Sequence, residues 1–373
     1  WAKAGKVSIP LELDVRQSND ESGTGLIPET LGDAFAYGET NGVAVDAFIY
    51  RNVWKDAGMA AVVTNYTGYY TAVLPGGSEY GSGYLTFTVD KTGGVKAAGK
   101  LADGTAISLS GTLVLDIFGR IYAVMYSAPA TYKGGYLFGL PEFVWSGEVG
   151  THAVISRPAG WTIDGIPFIW ENHNPLTTAE YGAIFSRSLD LSGGWYDKVG
   201  NLYDYYRDRA LSVSTDSEAP VPELVVGVNR YASVWWNPEG LAVTAMTNKF
   251  SVMTGLAAPR AGSPVKVNGR WEYDNADNTV GLTLSLVRAT GIFKGSFKAW
   301  YDYGTTHTSK TFAYEGVLTP ERVDMNDGVE GRGYFLWADK SSYDSGKVDK
   351  YGEPIMTSYF FNVSYDFLLL ANP

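Results

Sequence analysis

The sequence predicts a mainly β protein built from two related antiparallel β-barrel or sandwich-like units with short helices. Composition is the first of three observations behind this. Of 373 residues, 44 are Gly, 26 Tyr, 16 Phe and 11 Trp, and only 18% are charged. Gly serves tight turns, and aromatic residues suit pleated, half-buried surfaces. The second observation is a run of short alternating apolar segments separated by turn signals, beginning at Gly68. The third is one pattern carried twice. Leu85-Thr86-Phe87-Thr88-Val89, Thr92-Gly93 and Val95-Lys96 recur in the same order as Leu282-Thr283-Leu284-Ser285-Leu286, Thr290-Gly291 and Phe293-Lys294. Ser110-Gly111-Thr112-Leu113 then answers Glu315-Gly316-Val317-Leu318, and Gly135-Tyr136-Leu137-Phe138 answers Gly333-Tyr334-Phe335-Leu336. Strand and turn signals recurring in one order point to an internal repeat of a β-unit.

Residues 1–42 read as an N-terminal strand and loop segment. The stretch 7–13 alternates, and Ser18-Asn19-Asp20-Glu21-Ser22-Gly23 is a solvated loop. The first β unit is expected over 43–215. It opens with a strand at 43–50, and a short helix fits within 53–63, weakened by Gly58. Strands follow at 69–74, 84–89, 95–101, 107–116, 121–126 and 136–145, with Asp103-Gly104 as a two-residue hairpin turn. Such a meander removes its edges best by closing on itself. Residues 146–200 form a loop-rich insertion interrupted by Pro158, Pro167 and Pro175. Segment 201–211 has Leu202, Tyr205, Tyr206 and Arg209 at helical spacing without Gly or Pro, so it reads as a helix. The polar, Pro-ended stretch 212–222 reads as a linker. The second β unit is expected over 216–373, with strands at 224–229, 241–245 and 271–273 and the second copy of the pattern at 281–288, 291–301, 310–318 and 333–338. The last strand, from Tyr359 to Phe367, has an apolar or aromatic residue at every odd position, as one buried face requires.

The strings GYYTAVLPGG (68–77), SGYLTFTVDKTGGVKAAGKLADGTAISLSGTL (82–113), LSLVRATGIFKGSFKAWYDY (284–303) and YEGVLTPER (314–322) resemble modules of very large, repetitive, secreted bacterial proteins. There such modules sit beside Ig-like, fibronectin-like and InlB-type B-repeat segments. The similarity runs from about Val43 to the C-terminus. It implies an extracellular or cell-surface location, partners that are other domains of one large protein or neighbouring copies, and no carried-over catalytic residue.

Charge and residue usage exclude several classes. The formal net charge of -11 disfavours a phosphate backbone as partner. The absence of Cys removes disulfides, Cys-ligated zinc and thiol catalysis, and it fits an exported bacterial protein. No apolar run is long enough for a transmembrane helix. A lipid-facing barrel is disfavoured by Lys96, Lys100, Lys294 and Lys298 within strands. The start at Trp1 without a basic-then-apolar leader is expected of a processed chain or of a segment of a longer one.

Candidate chemistry is sparse. His152, His173 and His307 lie in different segments without metal-ligand spacing, and no nucleophile signature makes a triad. Asp164, Glu171 and Glu180 lie in the irregular 160–200 region among Trp161, Trp170 and Trp195. A glycoside hydrolase needs two carboxyls across such a cleft, but a loop-rich cap on a barrel has the same composition. Trp195-Tyr196 and Trp235-Trp236 are adjacent aromatics whose side chains would point to opposite faces of a strand. One of each pair offers a stacking face to a sugar unless a second core buries it. Together, Trp161, Trp170, Trp195, Tyr196, Trp235 and Trp236 are the candidate glycan-binding residues. Asp324, Asn326, Asp327 and Glu330 surround Gly328 and are candidate calcium ligands, although their order is not that of an EF-hand loop. No other cofactor is expected. The expected function is a non-catalytic structural or adhesive module. The alternatives are a carbohydrate-active enzyme using carboxylates at 160–200, and a fibre-forming subunit in which the strand at 359–370 adds to a neighbouring sheet.

Overall fold

The computed structural model describes residues 12–17, 32–40, 43–49, 52–76, 81–116, 119–147, 153–156, 168–177, 184–197, 211–214, 231–235, 248–251, 265–267, 270–272, 283–287, 289–303, 306–319 and 329–371. The fold is mainly β, as expected. Strands β1 (Glu12–Gln17), β2 (Gly32–Thr40) and β3 (Val43–Ile49) form a small antiparallel sheet of their own. Val43–Ile49 therefore pairs with the N-terminal segment and not with the barrel that follows.

The chain then forms helix α1 (Met59–Thr64), β4 (Gly68–Leu74), β5 (Gly83–Val89), β6 (Gly94–Lys100), β7 (Ala106–Leu115), β8 (Ile121–Ala123) and β9 (Met125–Ser127). Next come β10 (Leu137–Gly139), β11 (Glu142–Val144), β12 (Val154–Ser156), β13 (Phe168–Asn172), β14 (Phe185–Leu189) and β15 (Ser192–Trp195). Eight of these strands close into a barrel in the order β11-β12-β15-β4-β5-β6-β7-β8, and the others make a four-stranded sheet, β14-β13-β10-β9. Closure removes the open edges that the meander would otherwise present. Barrel and sheet share one core, in which Phe87, Leu113 and Phe143 from the barrel join Leu137, Phe168 and Trp170 from the sheet.

Helix α1 packs Met59 and Val63 into the same core. Gly58 does not interrupt it. That residue precedes the first turn with φ 90°, a left-handed conformation open to Gly, so the helix starts where the sequence threatened to break it.

The second body contains β16 (Leu211–Ser214), β17 (Tyr231–Trp235), β18 (Asn248–Ser251), β21 (Thr283–Val287), β22 (Ile292–Tyr303), β23 (Thr306–Leu318), β24 (Val329–Val348) and β25 (Pro354–Ala371). They form one eight-stranded sheet, β18-β17-β16-β25-β24-β23-β22-β21. A separate hairpin joins β19 (Val265–Val267) to β20 (Arg270–Glu272). The 212–222 stretch does not begin as a linker: Leu211–Ser214 is β16, pairing with Leu368–Ala371 of β25. The helix expected at 201–211 falls on residues outside those described, apart from Leu211, which is in that strand.

The two matched hairpins carry the same register. Val89 faces Val95 as Leu286 faces Phe293, and Val95 faces Gly111 as Phe293 faces Gly316. The Leu113 N–H donates to the Gly93 carbonyl at 2.7 Å, and the Leu318 N–H donates to the Gly291 carbonyl at 2.9 Å. The third matched pair differs. Leu137 and Phe138 pair with β9 and β13, away from β7, whereas Gly333 and Phe335 of β24 pair with β23. The strand beside β7 is instead β8, which the sequence offers no match for.

Candidate functional site

Where β23, β24 and β25 lie against the barrel, alternation sorts their side chains between two covered faces. One face is aromatic: Phe293, Phe297, Phe312, Tyr314, Phe335 and Phe367 are all buried. Tyr314 and Phe367 stack with ring centroids 3.6 Å apart. The other face carries Glu315, Val317, Tyr334, Ser364 and Asp366, and it meets the barrel.

Polar groups converge at this joint. Glu315 on β23 receives the Lys100 ammonium of β6 at 2.6 Å and the Tyr334 hydroxyl of β24 at 2.6 Å, both on Oε1. The Tyr84 hydroxyl of β5 donates to Oε2 at 3.2 Å. Desolvation first, and then the Glu315 carboxylate, hold both phenols well above the ordinary tyrosine range. Val73, Tyr84, Val317 and Tyr334 form a buried apolar cluster beside it, while Lys100 and Glu315 stay partly exposed. Nearby on β6–β7, Asp103 accepts hydrogen bonds from the Tyr132 hydroxyl at 2.9 Å and the Thr105 N–H at 2.8 Å. Burial nevertheless raises its carboxyl.

A second set of contacts lies along β25. The Ser82 hydroxyl donates to Asp366 Oδ1 at 2.6 Å, and the Ser82 N–H donates to the Gly333 carbonyl at 3.2 Å. The Gly81 N–H donates to Ser364 Oγ at 3.2 Å. Gly81 must be Gly, since a Cβ there would sit 2.4 Å from the Tyr365 carbonyl. At the other end of the joint the turn Thr290-Gly291 docks on the barrel. The Tyr69 hydroxyl donates to the Thr290 carbonyl at 3.1 Å, and Tyr196 lies over Gly291.

The joint is a clamp. Glu315 and Asp366 accept hydrogen bonds from Lys100, Tyr84 and Ser82 of the other body. Removing Glu315 takes the acceptor from a partly exposed ammonium and from the hydroxyls of two buried tyrosines. Glu315→Ala is expected to lower stability by about 2–3 kcal/mol in denaturant titration, a figure held down by the partial exposure of Lys100. Glu315→Gln, which keeps an acceptor, is expected to lose less.

The residues expected to bind glycan are placed otherwise. Trp170 is 2% exposed, with its ring 4.6 Å from Phe185. Tyr196 is buried between Tyr69 and Gly291. Trp195 is half-buried against the barrel core. The core shared by barrel and sheet covers Trp170, and packing surfaces on both sides of the Trp195-Tyr196 strand end bury Tyr196 and leave Trp195 half-buried. Trp235 lies on β17, and Trp161 and Trp236 fall outside the described residues. Of the calcium candidates, Glu330 is in strand β24, not in a loop, while Asp324, Asn326 and Asp327 fall outside the described residues. Among the described residues no three His, Asp or Glu side chains gather as a metal site.

In the 160–200 region, Glu171 Oε2 and His173 Nε2 lie 3.1 Å apart on the sheet of β9, β10, β13 and β14. Tyr136 lies beside them, its phenol raised by burial and then by Glu171. Asp164 and Glu180, the other carboxylates of that reading, fall outside the described residues, as does His152. His307 lies on β23. No helix among the described residues is long and apolar enough to cross a membrane.

The Glu315 cluster escaped sequence reading because its partners are up to 231 positions apart. One signal was present: Glu315 and Asp366 are charges inside otherwise apolar, aromatic-rich strands, where each must find a partner.

No family model matches the chain, and no curated protein or solved structure matches it.

Proposed function

We propose that this chain is a non-catalytic extracellular module that spaces or builds a larger bacterial surface protein. The observation that carries this is the clamp: a closed barrel and a long sheet are tied by Glu315, Ser82–Asp366 and the Gly291 turn into one mechanical body. The chain's lack of Cys and its net charge of -11 suit that setting. We read the two hairpins as copies of one unit, supported by their shared register and by glycines at φ 77° and 70° in the same turn position.

Two measurements test the proposal. Stretched between its ends, the protein should unfold in one high-force event, and Glu315→Ala should split that event into two. A reducing-end assay on polysaccharides should show no turnover, and turnover that vanishes in Glu171→Gln would overturn the non-catalytic reading.

One surface favours glycan as a ligand. Tyr126 is 58% exposed, and its ring centroid lies 6.0 Å from that of Tyr136, with the planes 30° apart and Glu171 adjacent. Ring faces beside a carboxylate can stack a pyranose and accept its hydroxyls. A glycan array compared between the wild type and Tyr126→Ala tests this, and binding that is equal in both removes the assignment.

A further inference from the structure

The hairpin of β24 and β25 runs far beyond the rest of its sheet. Strand β23 pairs with β24 only from Gly331 to Phe335, and β16 pairs with β25 only from Leu368 to Ala371. Strands β24 and β25 nonetheless pair with each other out to Val348 and Pro354. No strand among the described residues pairs with the outer edge of β25 between Pro354 and Phe367. Exposed apolar side chains concentrate on this arm: Val348, Tyr351, Ile355, Met356 and Phe360, with Phe360 at 71% and Met356 at 57%.

Composition singles out the edge itself. Residues 354–363 read PIMTSYFFNV, ten positions without a charge. Natural edge strands carry Lys, bulges or inward charges that prevent pairing. This one has only Pro354, at its first position, where Pro interrupts no ladder.

We propose that the outer edge of β25 pairs with the same strand of a second copy of this chain, antiparallel about a two-fold axis at Ser358. In this register Met356 faces the partner's Phe360, and Phe360 faces the partner's Met356. The two most exposed apolar residues of the strand thus cover each other twice, on one face. Thr357 faces the partner's Tyr359 on the other face. The nearest charge, Glu353, falls opposite the partner's Val363, away from any like charge. A chain of net charge -11 repels its own copies over most of its surface, so a neutral, self-complementary edge is where copies can meet. The geometry also continues an existing feature, since β16 already extends this edge at Leu368–Ala371. Two-fold pairing uses the edge up, so this contact ends at a dimer and does not propagate as a fibre.

The absence of Cys makes the test direct. Ser358→Cys places a single thiol on the axis, facing its own copy at cross-strand distance. The full chain is expected to sediment as a dimer in the micromolar range. Ser358→Cys should cross-link on oxidation at least about tenfold faster than a Lys347→Cys control on the same arm. Phe360→Lys, at an exposed position, should weaken dimerisation at least about tenfold and leave the unfolding transition unchanged. A monomer at all concentrations, cross-linking no faster than the control, or a dimer that survives Phe360→Lys would each overturn the proposal.

Discussion

Replacing Gly93 by Ala is expected to destabilise the barrel by about 3–5 kcal/mol, which places it among the most damaging single-methyl changes the fold can suffer. Two independent penalties meet at this residue. Its φ is 77°, and a left-handed conformation costs a residue bearing a Cβ about 1–2 kcal/mol. The added carbon would also lie 2.2 Å from Trp54 Cδ1 and 2.7 Å from Nε1, closer than any real contact. Trp54 cannot swing away cheaply. It is buried, and its indole N–H donates to the Leu113 carbonyl at 2.6 Å, while the Leu113 N–H is held by Gly93 itself. Moving the ring therefore breaks a buried hydrogen bond and opens the core at once. Two further glycines separate the terms. Gly58→Ala, with φ 90° and nothing near the new carbon, should lose only the backbone share, about 1 kcal/mol. Gly291→Ala should fall between, because its φ is 70° and its Cβ would meet Tyr196 Cε2 at 3.0 Å. Urea titrations that failed to rank the three as Gly93, Gly291, Gly58 would refute this account of the turn.

Why the hairpins were legible and their assembly was not follows from how far each signal reaches. Val89 and Val95, or Leu286 and Phe293, lie within a few residues of each other, so local alternation and a Thr-Gly turn suffice to set their register. Barrel closure needs β15, which lies inside the stretch that reads as a loop-rich insertion, to return to β4 and pair Gly193 with Ala72, and nothing local encodes that return. The string Gly135 to Phe138 shows how a similar pattern can mislead. Alternation of the same kind serves any sheet, and here it feeds the four-stranded one. Leu211 to Ser214 erred in the opposite direction. A Ser-rich stretch reads as a linker, yet the strand Leu368 to Ala371 supplies the hydrogen bonds that its own residue types do not advertise.

Two of the aromatic candidates, Trp170 and Tyr196, are buried for a related reason. Tryptophan-rich loops invite a sugar-binding reading, but Trp170 and Tyr196 are large apolar surfaces, and burying them is worth more to the fold than exposing them. The polar groups that do converge, Lys100, Tyr84, Tyr334 and Glu315, come from strands of both bodies. No local pattern links them, because they meet only when the two bodies pack together.

Asp366 gives the joint a pH dependence whose sign is opposite to that of a salt-bridged carboxylate. Burial is the dominant influence and lifts its carboxyl to about 6, against the partial offsets of the Ser82 hydroxyl and of Arg332 at 3.9 Å. Other charged and titratable groups of this joint include Glu315, Lys100, Tyr84, Tyr334, Tyr69 and Asp103. Since the folded state holds this proton more tightly than the unfolded chain, whose carboxyl titrates near 3.8, the stabilisation is complete below that pH. It is then lost as pH rises through about 6. A shift of this size corresponds to about 3 kcal/mol between the two limits, an upper bound for a group that retains slight solvent contact. Asp366→Asn keeps an oxygen for the Ser82 hydroxyl and has no charge to bury. It should therefore be more stable than the wild type at pH 7 by about 1–3 kcal/mol, and the difference should close as pH falls toward 4. Other groups, such as the exposed Asp90 that Thr92 holds below its ordinary value, titrate alike in both proteins, so the difference between the two isolates Asp366. Guanidinium titrations of both proteins across pH 4 to 8 measure it. A variant that is less stable at neutral pH would mean that the ion pair with Arg332 outweighs desolvation and that the clamp holds through charge.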